Sequence, residues 1–120
     1  MALEAALHDP DPFVAEAAAS ALGEHGRSAT QGVESLMMMA REHKDPLCRE
    51  AAVAALGAIG DPRGLPSVLA SLADKPAIRR RAAVALAGFD DPAATAGLEQ
   101  CLTDRDWQVR QAAEELLRTD

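Results

Sequence analysis

Aromatic residues, cysteines and long apolar runs are all scarce in this 120-residue sequence. Phe13, Phe89 and Trp107 are the only aromatic side chains, too few to form the stacking platforms that bind single-stranded nucleic acids. The two cysteines cannot supply the disulfide framework of a small secreted domain. No stretch approaches about 18 consecutive apolar residues, so we expect no membrane-spanning helix.

The net charge is acidic, because 19 acidic residues outnumber 12 basic ones and give a formal charge of -7. A polyanion such as DNA or RNA would be repelled, and we predict no nucleic-acid partner. The first residues contain no basic stretch followed by an apolar segment and a cleavage site. We therefore expect a cytoplasmic protein.

Alanine is abundant, with 27 residues, and it recurs within a pattern that is repeated four times. The copies are DPFVAEAAASALG from Asp11, DPLCREAAVAALG from Asp45, KPAIRRRAAVALAG from Lys75 and DWQVRQAAEELL from Asp106. The equivalent residues Val14, Cys48, Ile78 and Val109 are separated by 34, 30 and 31 positions. A period in the low thirties is typical of one helical hairpin of a solenoid.

Each copy has the pattern of an amphipathic helix. In the second copy, Cys48, Ala52 and Ala55 recur at intervals of three and four residues and belong to one apolar stripe. The Asp-Pro pair suits a helix start, because the carboxylate can accept hydrogen bonds from free amides and proline fits the first turn. We predict that these helices end where a left-handed glycine would stop them, at Gly23, Gly57 and Gly88.

A second, weaker set of helices is predicted to precede the four copies. Its stripes are Leu3, Ala6 and Leu7; Val33, Leu36, Met37 and Ala40; Leu65, Val68, Leu69 and Leu72; and Leu98, Cys101 and Leu102. No segment shows the alternation that is typical of a strand. We predict one all-α domain of eight helices in four antiparallel hairpins, which span approximately residues 1–26, 27–60, 61–90 and 91–120.

The string LGAIGDPRGLPSVLASLAD, residues 56–74, and the recurring DP-x-V-R-x-A-A-x-A-L segments resemble the HEAT-like repeats of phycobilisome lyases. The resemblance covers essentially the whole chain and implies a right-handed α-α superhelix, a HEAT-like solenoid, whose second helices line the concave side. Lys75 stands in place of the usual acid, Trp107 in place of the usual proline and Ala15 in place of the usual arginine. The resemblance implies a shape rather than a role, because such repeats serve as scaffolds in many proteins.

Two groups of enzymes share these repeats. Deoxyhypusine hydroxylase is similar, but it binds two irons through His-Glu pairs at positions occupied here by Ala15-Glu16, Arg49-Glu50, Arg79-Arg80 and Arg110-Gln111. Arginine stays protonated and cannot ligate iron, so that chemistry is absent. Phycobilin lyases are similar too, but they are generally longer and enclose a tetrapyrrole, for which four repeats without tyrosine make a poor pocket.

No catalytic, cofactor-binding or metal-binding residue is predicted. His8, His25 and His43 fall at helix ends or in turns of different repeats, and a zinc or iron site needs at least three convergent ligands. Cys48 and Cys101 occupy stripe positions, where a thiol behaves as a small buried hydrophobe.

Arg49, Arg79 and Arg110 are equivalent residues of successive second helices. Stacked repeats would place them in a ladder near Asp45, Lys75 and Asp106. They could form a chain of Asp–Arg pairs that ties neighbouring repeats together, or a positive strip on the concave face that receives an acidic partner. Both interpretations stay open from the sequence.

Three further features bear on the surface. Arg81 replaces the alanine of the other copies, and its head is expected to reach solvent or an acid such as Asp104, Asp74 or Glu114. Met38, between Met37 and Met39, should face away from the core, where it either belongs to a gap-filling cluster or offers an adaptable contact. Ala15, Ala18, Ala19 and Ala21 are expected to leave apolar surface on the first repeat, so that this end either dimerises or joins further repeats. We expect a monomer or a weak end-to-end dimer.

The predicted interaction surface is the ridge of second-helix residues that lie outside the apolar stripe. It comprises Glu16, Arg49, Glu50, Val53, Arg79, Arg80, Ala83, Arg110, Gln111 and Glu114, with Trp107 as a candidate anchor. Small apolar residues between charged neighbours are typical of a groove for a partner helix or an extended peptide. We predict a non-enzymatic scaffold that binds a protein or peptide. The alternative is a lyase-like or accessory subunit that binds a tetrapyrrole or assists protein modification.

Overall fold

The computed structural model describes residues 2–118, and within them the chain is helical with no strand. The α-helices are α1 (Ala2–Ala6), α2 (Pro12–His25), α3 (Val33–Glu42), α4 (Pro46–Ile59), α5 (Leu65–Ala70), α6 (Pro76–Leu86), α7 (Pro92–Cys101) and α8 (Trp107–Arg118). Short 3-10 segments cover Gly26–Gly32, Pro62–Gly64 and Ser71–Ala73. The predicted all-α class is confirmed.

The Asp-Pro pairs start helices as the sequence predicts. The Asp11 carboxylate accepts a hydrogen bond from the Phe13 amide at 3.0 Å, and Asp45 accepts one from the Leu47 amide at 2.9 Å. Helix α6 differs, because Lys75 at its N-cap makes no side-chain capping hydrogen bond. Proline in the first turn is thus the feature that α6 shares with α2 and α4.

The helices stack as a solenoid of hairpins. Each first helix packs on the second helix that follows it, and the second helices α2, α4, α6 and α8 pack against one another in chain order. Large side chains fill the space between the two rows of helices, and the fully buried ones include Leu36, Leu56, Ile59, Ile78 and Leu86. Alanine lines the contacts between second helices, which lets their backbones come close together.

The predicted helix stops at Gly23 and Gly57 are wrong. Both glycines lie inside their helices, which end instead at Gly26 and Gly60, where φ is +58° and +71°. A Cβ atom added to Gly57 would lie 2.6 Å from Cα of Ala85 in the next second helix. The interior glycine is therefore explained by the close approach of α4 and α6 and not by helix termination.

Within residues 2–118, none of the helices is both long enough and apolar enough to span a lipid bilayer.

Candidate interaction surface

Two arginines join consecutive hairpins through bidentate ion pairs. Arg79 donates from Nε to Oδ2 of Asp104 at 2.9 Å, from Nη2 to Oδ1 at 3.0 Å, and from Nη1 to the carbonyl of Asp74 at 2.8 Å. Arg49 repeats the arrangement one hairpin earlier, with Asp74 at 2.9 and 3.1 Å and the carbonyl of His43 at 2.8 Å. Each guanidinium thus connects the turn before its own helix to the turn before the next second helix.

The predicted chain of Asp–Arg pairs is present, but its acids are different. The partners are Asp74 and Asp104, in the turns of the following hairpins, rather than Asp45 or Asp106. The positive-strip interpretation is wrong for Arg79, whose exposed fraction is 5%. It fails for Arg49 too, because that guanidinium is already neutralised.

The pKa values of the two aspartates reflect these pairs. The hydrogen bonds from Arg79 hold the pKa of Asp104 below its usual range. Burial alone would raise the pKa of Asp74, but hydrogen bonds from Arg49 and from the Lys75 amide outweigh it, and the net shift is downward. Both carboxylates are therefore held in the charged form.

The arginine–aspartate pair is not repeated at the first and last second helices of the stack. Arg110 donates from Nη1 to the carbonyl of Asp104 at 2.7 Å, but no carboxylate of residues 2–118 pairs with it. At the other end the arginine is replaced by Ala15, which is fully buried. The aspartate that it would meet is replaced by His43, whose Nδ1 accepts a hydrogen bond from the Asp45 amide at 3.0 Å. Both halves of the pair are thus missing together at the α2–α4 junction.

Two members of the predicted surface are not on the surface at all. Val53 and Ala83 have exposed fractions of 0%, because stacking of the next hairpin covers this side of the second helix. Ala19, at the equivalent position of α2, is buried in the same way. Glu114 occupies the equivalent position of α8 and is exposed, since no further hairpin of the described chain lies beyond it.

The remaining predicted residues keep at least part of their side chains accessible. Arg80, Gln111, Glu114 and Trp107 are exposed, whereas Glu16, Glu50 and Arg110 are half-buried. The expected apolar surface at Ala15, Ala18 and Ala19 is absent, because all three are buried. Met38 is exposed as expected, and Met39 lies in the core.

Arg81 pairs with an acid other than those expected from the sequence. Its Nη2 lies 3.2 Å from Oε2 of Glu50, on the neighbouring helix α4, and not near Asp104, Asp74 or Glu114. The pair is partly exposed and lies on a side of the second helices that is open to solvent. Arg81 therefore contributes a cation to this accessible side.

A groove runs along that side between α2 and α4. We call it the α2–α4 groove; it is lined by Glu16, Ser20, Leu47, Glu50, Ala51, Ala54 and Arg81, and it continues past Gly23, Glu24, Ala55 and Ala58. Small side chains form its floor, carboxylates lie on its rim, and Leu47 at one end is 58% exposed. Val84 lies one helix further along, at the position equivalent to Ala54, and is exposed as well.

Sequence reasoning missed Leu47, Ala54 and Val84. The ridge that it chose includes the side of each second helix that faces the next hairpin, and the accessible side lies further round the helix. A usable signal exists in the last copy, where the equivalents of Ala54 and Leu47 are Glu115 and Gln108. Polar residues at these positions mark a side that water reaches.

The histidines and cysteines within residues 2–118 do not form a metal centre. No group of three or more His, Cys, Asp or Glu residues in this range is arranged to hold a metal ion. His8 and His43 do line one open cleft, where Nε2 of His8 lies 3.3 Å from Oγ of Ser35. Cys48 and Cys101 are free and buried, and burial raises the pKa of both thiols, so neither is an activated nucleophile.

Comparison with known proteins identifies the repeat. The model of the family described as HEAT repeats matches residues 1–77 and 68–118. Among curated proteins, none matches the chain. A solved structure of an engineered protein from the Northeast Structural Genomics Consortium has a TM-score of 0.70 at 24% identity, covering 97% of this chain, which spans 60% of that protein.

A second solved structure is the complex of CpcE and CpcF of phycocyanin lyase from Nostoc sp. PCC7120. Its TM-score is 0.71 at 23% identity, and the match covers 99% of this chain and 78% of the other. At such identities the likeness shows the fold alone.

Proposed function

This chain belongs to the HEAT-repeat family, and from that premise we propose that it is a non-enzymatic scaffold that binds a partner protein in the α2–α4 groove. The bound element is a helix or an extended peptide, which rests on the alanine floor and contacts the carboxylate rim. The protein acts in the cytoplasm, where its two thiols remain free.

The shape of the groove supports this proposal more than any other observation. Ser20, Ala51 and Ala54 are small, so a partner backbone can approach the two helices closely. Leu47 offers an exposed apolar contact at one end of that floor. A floor of small residues with one larger apolar anchor suits an apolar helix stripe or the alternate side chains of an extended segment.

The charges around the groove favour a partner with basic residues. Glu16 and Glu24 lie on the rim, and none of the ion pairs within residues 2–118 involves either of them. Glu50 is different, since Arg81 holds it and fixes its direction. Lysine or arginine of a partner would meet the first two carboxylates and increase the association rate.

Blocking the floor of the groove tests the proposal. In Ala54→Arg a long charged side chain projects from the middle of the floor, and we expect loss of the proteins that the wild type captures from native lysate, as measured by quantitative mass spectrometry. Ala96→Arg is the matched control, because Ala96 is an exposed alanine in the middle of α7. Capture that survives Ala54→Arg would contradict binding in the groove.

The lyase-like alternative makes a different prediction. A protein that holds a tetrapyrrole needs an enclosing pocket, whereas the clefts found within residues 2–118 are open to solvent. An absorption spectrum of the purified protein separates the two functions. A chromophore band would favour the alternative, and a colourless protein that loses its partners in Ala54→Arg supports the scaffold.

A further inference from the structure

The two ends of the helix stack are not equivalent, and the difference starts at Val14. This residue is 38% exposed, whereas Cys48, Ile78 and Val109 at the same position of the later second helices are at most 1% exposed. Ala21 is half-buried, whereas Ala55 and Ala85 at its equivalent position are buried. We call Asp9, Val14, Ala17 and Ala21 the front face of the stack.

The later second helices show what covers the face that is equivalent to the front face. Sγ of Cys48 lies 3.4 Å from the carbonyl of Pro12, at the start of the preceding second helix. A Cβ atom on Gly23 of that helix would lie 3.1 Å from Cα of Ala55. The cover is therefore the preceding second helix, which presents small residues along its contact side.

Asp9 carries half of the ion pair that accompanies such contacts. Its Oδ1 accepts a hydrogen bond from the Asp11 amide at 2.8 Å, just as Oδ1 of Asp104 accepts one from Asp106 at 2.8 Å. Asp104 additionally holds Arg79 of the preceding second helix, and no arginine of residues 2–118 holds Asp9. The front face thus presents small residues next to Asp9, a carboxylate that is equivalent to the one that pairs with Arg79 further along the stack.

We propose that the front face is a docking surface for a partner protein made of helical repeats, whose last second helix brings an arginine to Asp9 and small residues to Val14 and Ala21. This surface is distinct from the α2–α4 groove. The partner continues the stack in the manner in which α4 continues α2 and α6 continues α4.

A second copy of this chain does not meet that description. At the far end of the stack, Glu114 stands where Val53 and Ala83 are buried, and Arg118 stands where Gly57 contacts Ala85. A buried carboxylate and a long side chain would prevent the same close contact. Two front faces against each other would bring Asp9 and Asp11 towards their own copies, which like-charge repulsion opposes.

A variant of this chain can serve as the partner that tests the front face. A donor variant carrying Glu114→Ala and Arg118→Ala has the small residues that α6 has at Ala83 and Ala87, and it keeps Arg110. Val14→Glu in the same donor blocks its own front face, so that only its far end can dock. Equimolar donor and wild type, studied by sedimentation velocity, should form a 1:1 complex, while each alone stays monomeric.

Variants of the acceptor test the residues. Asp9→Lys in the acceptor should weaken the complex at least about tenfold, because a charge-assisted bidentate pair is replaced by two like charges. Asp90→Lys is the matched control, since Asp90 is an exposed aspartate of the turn before α7, and it should leave the affinity unchanged. Circular dichroism verifies that each donor is folded, and a second donor with Glu114→Val and Arg118→Gly, the residues of α4, repeats the test.

Three results would overturn the proposal. The first is the absence of a complex with both folded donors, and the second is a complex that Asp9→Lys leaves unchanged. The third is a wild-type dimer that Val14→Glu abolishes, because the front face would then be covered by a second copy.

Discussion

The α2–α4 junction and the α6–α8 junction both stack one second helix on the next, but an ion pair is present at the α6–α8 junction and absent from the equivalent residues at the α2–α4 junction. At α6–α8, Arg79 and Asp104 form a bidentate pair and the arginine is nearly inaccessible. At α2–α4 the same two positions hold Ala15 and His43, which do not interact as an ion pair. Stacking of the second helices therefore needs only small residues and a buried stripe, whereas the ion pair additionally ties the arginine to the turn of the following hairpin.

Removing the acid at the charged junction should have the largest effect. Asp104→Ala removes both charge-assisted hydrogen bonds from Arg79 to its counter-charge, which should lower the free energy of unfolding by about 2 to 3 kcal/mol. Urea denaturation measures the loss. His43→Ala at the α2–α4 junction is the control, and its cost should be about 1 kcal/mol, because only one hydrogen bond to the Asp45 amide is lost. Equal losses in the two variants would contradict the distinction between the junctions.

Acid should weaken the two charged junctions. The pKa values of Asp74 and Asp104 are lowered in the folded chain, so between the folded pKa and the unfolded value of about 3.9 the unfolded state binds more protons. Their contribution is therefore complete only above about pH 5, and it is lost as the pH falls through the folded pKa. Denaturation curves recorded from pH 6 downward should show this loss in the wild type.

Asp104→Ala provides the comparison for the acid experiment. This variant has already lost one of the two pairs, so its stability should fall less steeply below about pH 5 than that of the wild type. If the stabilities of the two proteins fell equally steeply with pH, the contact with Arg79 would not be what lowers the pKa of Asp104.

Transferring the ion pair to the α2–α4 junction should have the smallest effect. Ala15→Arg together with His43→Asp recreates the arrangement of Arg79 and Asp104, because His43 and Asp104 both lie two residues before the N-cap, and such a pair contributes about 1 kcal/mol net. Each single substitution should destabilise, since it buries a charge without a partner. A double-mutant cycle by urea denaturation measures the coupling, and additive single effects would show that the junction geometries differ.

The sequence was sufficient for the parts of the fold that follow from local chemistry. Helix starts at Asp11 and Asp45, the burial of Cys48 and Ile78, and the four repeated segments were predicted from spacing and capping residues alone. Helix starts depend on interactions within one turn, and the burial of stripe residues follows from the apolar periodicity, although the preceding second helix supplies part of the cover of Cys48.

Features set by the distance between hairpins could not be predicted in the same way. Val53 looked like surface because it lies outside the stripe, and only the stacking of α6 on α4 buries it. Gly57 looked like a helix stop, although the contact with Ala85 is the reason for its lack of a side chain. The α2–α4 groove lies on a different side of the second helices from the predicted ridge for the same reason. Stacking buries a second side of each helix, and the apolar periodicity of that helix alone does not reveal it.

Hydrogen–deuterium exchange of the chain, alone and with a partner that Ala54→Arg fails to capture, tests most directly that the α2–α4 groove is the binding surface. We expect slower exchange over residues 47–58 of α4 in the complex and unchanged exchange over residues 92–101 of α7. Protection confined to α7, with residues 47–58 unaffected, would contradict the account.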